Sequence, residues 1–493
     1  MPSARDILFS LPARFRPEKA GDMASVVHFD MEGEGAFTVH IAEGRCEVEE
    51  GFVGKASLSV RARAVHYIAL ETGELNPQVA IFSQKVRVSD LAAMMAFGKC
   101  FRKYRPEYQV DTAPVPDRKP GAGPLQGVRI LDLTRLLPGP LATQMLADMG
   151  AEVIKIEHPD SPDYIRDSAP VQGGVSAYYL AINRSKRSLT LRYGTEEGNN
   201  SFFFFFLSAD LVVEQFRPGV MDEIGIGFEA ARKHNPKICY VSLTGYGQTG
   251  PYAAKAGHDI NYLAYAGILD QNRDAQGRPV IPGVQVADVA AGSYLCVTAC
   301  LSALWAAQRE GRGTHADVNM MEGLLPLLSF HAAGMWAGEK PLPNREGLLS
   351  GGMVNYDVYQ TSDGKWMALG ALEPKFWEAF CLAVGKPEWN MAIVPEIAAE
   401  KGIKSQIEAL FASRTQAEWT NLGDMHDICL SPVRELSELP EDPHIRARGA
   451  IVSMQHRQAG ELRGFRPPVQ FSGYAQGPWW AAPELGEDEG LLA

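Results

Sequence analysis

None of the seven cysteines (Cys46, Cys100, Cys239, Cys296, Cys300, Cys381 and Cys429) stands at the CxxC spacing that zinc and redox sites favour, and their number is odd. That argues against a disulfide framework or a thiolate metal centre, and for buried thiols in a reducing compartment. Positive charge is also short. Forty-seven Lys and Arg against 59 Asp and Glu give a formal net charge of -12, so nucleic acid is not an expected partner, although local basic clusters remain able to hold a phosphorylated ligand. No run approaches the roughly 20 apolar residues of a membrane helix, and stable membrane insertion is not expected. Phe202–Leu207 is too short to span and reads as a buried helix or strand. The amino terminus lacks the basic-then-apolar order of a secretion signal, and the final Leu-Leu-Ala is not a peroxisomal address; the cytoplasm is the expected location.

What the chain does have is size: 493 residues, 46% hydrophobic and 22% charged, with 48 Gly and 32 Pro to make turns. Such a length exceeds one hydrophobic core and predicts several domains. Residues 1–112 form the first. Phe37–Ile41 and Ala56–Val60 alternate as strands do, and Asp90–Tyr104 carries Leu91, Met94, Met95, Phe97 and Phe101 at helical spacing. The methionine-rich face reads first as core packing, with the lining of a lipid pocket as the alternative. The Pro- and Gly-dense stretch 113–124 is a linker. Strand and helix then alternate: Val128–Asp132, Leu141–Met149, Glu152–Ile156, Leu211–Val213, Ile238–Ser242. This is the pattern of a parallel sheet covered by helices and predicts an α/β large domain over 125–350. Ser362-Asp-Gly364 sits between two apolar alternations as a hairpin turn, opening a smaller α+β domain over 351–445, and residues 446–493 return to the large domain.

Three residues have the chemistry of an acid or base: His258 in Gly257-His-Asp-Ile-Asn-Tyr262, Asp288 in Val286-Ala-Asp-Val-Ala, and Glu373 in Gly370-Ala-Leu-Glu-Pro374. Each has a plainer reading beside the catalytic one. Asp288 precedes an amphipathic stretch, Tyr294–Gln308, and suits an N-cap; Glu373 suits a surface acid before the helix-starting Pro374; His258 suits a loop histidine. The residues alone do not choose.

A resemblance does. Leu131-Asp-Leu-Thr134, Pro138-Gly-Pro140, Ala147-Asp-Met-Gly-Ala-Glu-Val153, Asn183-Arg-Ser-Lys-Arg-Ser188, Glu214-Gln-Phe-Arg-Pro-Gly219 and Leu243–Pro251 together resemble the class III CoA-transferase superfamily over about residues 124–490. Gly257–Tyr262, Leu349-Ser-Gly-Gly352 and Gly370–Pro374 are similar to its α-methylacyl-CoA racemases rather than its transferases. The resemblance implies a Rossmann-like large domain with a smaller α+β domain, two chains interlocked as a homodimer, and no cofactor beyond the CoA of the substrate. It places the catalytic histidine on His258, the catalytic aspartate on Asp288 and the glutamate that orients the histidine on Glu373. A 2-methylacyl-CoA thioester would be inverted through an enolate, one group acting on each face of the α-carbon. In a transferase the aspartate at Asp288 would instead be a nucleophile.

The same resemblance places CoA on Arg187, on Leu191, Arg192, Tyr193 and Gly194, on Gln215, Phe216 and Arg217, and on Gly257, His258, Asp259, Ile260, Asn261 and Tyr262. Arg184, Lys186 and Arg187 form a positive cluster suited to phosphate. After the second strand His158 stands where these racemases often carry an arginine. Residues 1–112 resemble the sterol-carrier-protein type 2 domain through Val39–Cys46, Asn76-Pro-Gln78 and Phe82–Lys85, which implies a lipid or sterol ligand and a bulky or branched acyl substrate supplied in cis.

Overall fold

The computed structural model describes residues 2–21, 23–72, 75, 80–81, 83–101, 104, 122–274, 276–338, 347, 349–474, 477 and 479–492. The linker falls almost wholly outside the described residues, as do Asn76–Gln78 and Phe82. The chain divides into two compact units, Met1–Leu243 with Cys296–Asp317 and Val452–Ala493, and Thr244–Leu295 with Val318–Ile451.

In the first unit the amino-terminal residues build a five-stranded sheet. Its order is Arg45–Glu50, Gly35–Ala42, Ser25–Glu32, Leu58–Arg63, Val86–Val88, antiparallel except where Ser25–Glu32 runs parallel to Leu58–Arg63. Val27, Phe29 and Met31 point inward in strict alternation, the period-2 pattern of a half-covered sheet. The cover is two helices, Ala64–Glu71 and Leu91–Lys99, whose Tyr67 and Phe97 rings stand 5.8 and 5.9 Å from the Phe29 ring. Asp90 starts the second by accepting the Ala93 N–H at 2.9 Å. That helix stops short of the expected Tyr104, because Phe101 bridges to Phe15 and the Cys100 carbonyl accepts the Arg16 N–H. Its methionine face divides: Phe97 is buried and Met94 half-buried against the core, while Leu91 and Met95 are exposed.

Further along the first unit lies the predicted parallel sheet, ordered Lys186–Thr190, Glu152–Glu157, Arg129–Leu133, Leu211–Glu214, Cys239–Thr244, His315–Asn319, with the first five strands parallel. Leu211–Glu214 and Cys239–Thr244 are buried at every position, as strands covered on both faces must be. Phe202–Leu207 belongs to the helix Glu196–Ser208, which buries Phe202, Phe205 and Phe206 and exposes Phe204 and Leu207. The first strand of this sheet, Arg129–Leu133, has the second on one side and the fourth on the other. The order therefore reverses between Arg129–Leu133 and Leu211–Glu214, and in sheets of this type the crevice at the carboxyl ends of such a pair is where ligands bind.

The second unit contains the hairpin Tyr356–Gln360 and Trp366–Gly370, extended by Leu430–Pro432. Gly364 turns it at φ 77°, a backbone angle that favours glycine. Its core holds Trp377, Phe380, Phe411 and Trp419. This unit begins at Thr244, well before the expected residue 351, because Gly323 lets the segment 320–323 pack on the helix that starts at Ala287. A Cβ on Gly323 would lie 2.5 Å from Leu295 and 3.0 Å from Ala291. That helix also corrects the expectation about long apolar segments. Ala287–Glu310 is 24 residues with a mean hydropathy of 1.6 over its most apolar stretch, long and apolar enough to cross a membrane. Asp288 and the scattered Ser and Thr residues hide this from a search for unbroken runs.

Candidate active site

His258 occupies the N-cap of the helix Asp259–Tyr265. Its backbone N–H donates to Asn261 Oδ1 at 3.0 Å, and its carbonyl accepts the Asn261 N–H at 2.8 Å, so the helix start is closed by Asn261 and the imidazole is left exposed. Tyr262 anchors the turn from beneath: its buried hydroxyl donates to the Gly257 carbonyl at 2.6 Å. A Cβ at Gly245 or Gly257 would stand 2.3 or 2.7 Å from that ring, which is why glycine is required at both positions.

Asp288 is not an N-cap. The helix begins one residue earlier, at Ala287, with a π-helical stretch through Tyr294, and Asp288 lies in its first turn with Val286 as the cap. Such widened turns recur at functional sites. The Asp288 N–H donates to Asp259 Oδ1 at 2.9 Å, which ties this helix to the residue after His258. Burial pushes the Asp288 carboxyl up to about 6, the negative Asp259 adds to the rise, and His258 opposes it. Asp288 in turn helps burial raise the Tyr262 phenol. His258, Asp259, Tyr262 and Asp288 thus form one electrostatic cluster within the second unit.

Glu373 stands elsewhere in that unit. It is the exposed N-cap of Pro374–Ala383, with Pro374 at the first helical position. Its charge acts on Cys429, whose thiol is raised by burial first, then by Asp427 and Glu373. Among the described residues no hydrogen bond or ion pair joins Glu373 to His258 or Asp288. Beside it a cavity of about 410 Å³ is lined by Leu349, Ser350, Tyr356, Val358, Gly370 and Cys429.

The expected phosphate cluster is corrected by the first unit. Lys186 is fully buried, its Nζ donating to Asp132 Oδ2, the Pro140 carbonyl and Asn183 Oδ1 at 2.9, 2.9 and 2.8 Å. Arg184 is buried in a two-pronged pair with Asp148. Arg187 pairs with Glu152 and Asp488, and Arg192 with Asp160. Two of these cations are inside the protein, Lys186 on the strand Lys186–Thr190 and Arg184 just before it, each paired with a buried carboxylate. Leu191 is buried, and Gly194 gives its N–H to Asn199.

Other expected CoA residues gather at the carboxyl ends of the strands. Gln215 accepts the Gly139 N–H at 3.2 Å, and Glu214, pushed up to about 7 by burial, accepts the Phe216 N–H at 2.6 Å. Tyr193 meets Phe216 and His158 edge-on at 6.2 and 5.3 Å, and Arg217 is exposed. Among them sits a residue the sequence reading passed over. Arg135 donates to the Tyr193 hydroxyl at 3.3 Å and lies over the Phe216 ring at 5.3 Å. Its signal was an arginine directly after Leu131-Asp-Leu-Thr134 and before Pro138-Gly-Pro140. The Gly257–Tyr262 segment belongs to the second unit.

Comparison with known proteins shows the family. Residues 125–489 match CoA-transferase family III, and residues 11–102 match the SCP-2 sterol transfer family. The chain is 32% identical to the alpha-methylacyl-CoA racemase of Homo sapiens over 68% of its own length and 84% of that protein's. It is also 32% identical to the succinyl-CoA:glutarate CoA-transferase of Mus musculus, over 74% and 84%. The crystal structure of a CAIB/BAIF family protein from Brucella suis superposes with a TM-score of 0.66 at 28% identity, covering 76% of this chain and all of that one. With the parallel sheet and these matches in agreement, the chain belongs to CoA-transferase family III and carries an SCP-2 domain ahead of the family's own fold.

Proposed function

We propose that the chain epimerises the α-carbon of 2-methyl-branched acyl-CoA thioesters. One observation carries this reading: Asp288 is half-buried within the field of His258, with its carboxyl raised to about 6. A carboxyl raised towards neutral can both hold and release a proton near physiological pH, as a reaction that must run both ways requires. His258 removes the α-proton of one epimer and leaves a planar enolate; the Asp288 carboxyl delivers a proton to the opposite face, and the reverse sequence serves the other epimer. No cofactor beyond the CoA of the substrate is needed. The SCP-2 domain supports a lipid-like acyl chain, supplied from within the same chain.

The test is α-proton exchange. A single epimer of a 2-methylacyl-CoA, incubated in heavy water without an acid acceptor, should gain deuterium and lose stereochemical purity. The pair must hold one proton between its two members, so kcat/KM should fall below about pH 6, following the Asp288 carboxyl, and fall again at higher pH. The limbs should coincide in the two directions, since their ratio is the equilibrium constant. An acid limb near 4 would place Asp288 in water and remove the argument.

Glu373 enters this reading through a homodimer in which each site draws His258 and Asp288 from one chain and Glu373 from the other. Mixing inactive His258→Ala and Glu373→Gln chains should then restore about one quarter of wild-type turnover, because half the dimers are mixed and half of their sites intact. No recovery in dimers shown to be mixed would put all three residues in one chain.

The transferase reading has its own support, since relatives of equal identity carry transferase names. There the Asp288 carboxylate would attack the thioester carbonyl, expel CoA thiolate and form a mixed anhydride. Hydroxylamine would trap it, and only the acid limb would appear.

A further inference from the structure

We propose that Arg135 grips the phosphates of the CoA nucleotide, the task that the sequence assigned to Arg184, Lys186 and Arg187. The proposal rests on the reading of an acyl-CoA thioester as substrate, and holds for epimerisation and transfer alike. Three observations carry it. The first is place: Arg135 follows the strand Arg129–Leu133, and Phe216 and Arg217 follow Leu211–Glu214, so they flank the crevice where the strand order reverses. The second is charge. Arg129, Arg166, Arg184, Arg187 and Arg192 are all tied to carboxylates. Among the described residues Arg135 forms no ion pair, and its neighbours are the neutral Tyr193 hydroxyl and the Phe216 ring. A guanidinium held over a ring, with only one neutral hydroxyl as acceptor, keeps most of its N–H donors available to the oxygens of a phosphate.

The third is the way the loop is held. Leu136, the next residue, has φ 62°, a conformation that a leucine keeps only where its surroundings impose it. Here the source is buried charge. Asp163 accepts the Leu136 N–H at 3.1 Å, and Lys155 Nζ binds the Thr134 carbonyl at 2.7 Å and Asp163 at 3.1 Å. Residues 134 and 136 are thus pinned from below, and residue 135 is left at the crevice. Exposed Arg217 beside Phe216 and His158 against Tyr193 complete a basic rim round an aromatic floor.

The experiment compares an acyl-CoA with the matching acyl-pantetheine thioester, which lacks the nucleotide, in the full chain. Wild type should have a far lower KM for the CoA ester. In Arg135→Ala that preference should collapse by about 10- to 100-fold, carried by KM rather than kcat, the loss typical of a charge-assisted contact. Arg135→Lys should recover part of it, since it keeps the charge but not the fork. A variant that folds poorly loses both substrates together, so the ratio reads phosphate contact alone. An unchanged ratio in Arg135→Ala overturns the proposal. A wild type indifferent to the nucleotide overturns the CoA reading beneath it.

Discussion

Replacing Asp288 with Ala is expected to reduce epimerisation in both directions by about 10²- to 10⁴-fold, the usual contribution of a positioned acid or base, while one epimer still exchanges its α-proton without inverting. The asymmetry follows from the two-faced site. With Asp288 gone, His258 still takes the proton from its own face and returns deuterium to that same face, so that epimer washes in label and keeps its configuration. The other epimer presents its proton to an alanine and stays unlabelled. His258→Ala should give the mirror result, with the labelled and unlabelled epimers exchanged. NMR of the α-position in heavy water, with each epimer supplied separately, reads both properties at once. Unfolding is not an alternative cause in Asp288→Ala. The carboxyl is raised to about 6 by burial and by Asp259, so above that pH its ionised form is less favourable in the fold than in the unfolded chain. Removing it should leave the thermal midpoint equal or higher at pH 7.5. Two variants that both label both epimers would show that neither residue is the base, and loss of transfer to an added acid in Asp288→Ala alone would favour the nucleophile.

The parallel sheet could be read from the sequence because its strands are buried on both faces and appear as short unbroken apolar runs such as Leu211-Val-Val213. The limits of the second unit could not, since the helix Ala287–Glu310 passes from one unit to the other without a break in its pattern and only packing, as at Gly323 against Leu295, shows which unit a segment joins. Asp288 was identifiable as a residue that starts a helix, but the widened π turn that moves it inside the first turn leaves no mark in periodicity. Arg184 and Lys186 misled for a different reason. Basic residues in a row read as surface, and their partners Asp148 and Asp132 lie 36 and 54 residues away. Arg135 is marked in the sequence only by its place between two motifs, and its contact with Phe216 comes from the fold.

Those buried pairs give the second large effect. Lys186→Met should destabilise the fold by about 3–5 kcal/mol, the usual result of leaving a buried charge without its partner. Burial pushes the Lys186 ammonium down to about 8 while Asp132 pulls the other way, so at pH 7 the lysine is still charged and compensates the carboxylate. Without it Asp132 keeps Thr134 and Thr143 as hydrogen-bond donors but loses the nearest cation. Adding Asp132→Asn removes the stranded charge and should recover a large part of the loss, as measured by urea unfolding. The same variants separate structure from binding. If Lys186 contacted CoA phosphate, Lys186→Met would raise KM for the CoA thioester and leave the unfolding midpoint alone. A buried strut predicts the opposite order: the midpoint falls first, and the preference for CoA over pantetheine changes only as far as the loop from Thr134 to Leu136, held through Asp132, loses its hold on Arg135.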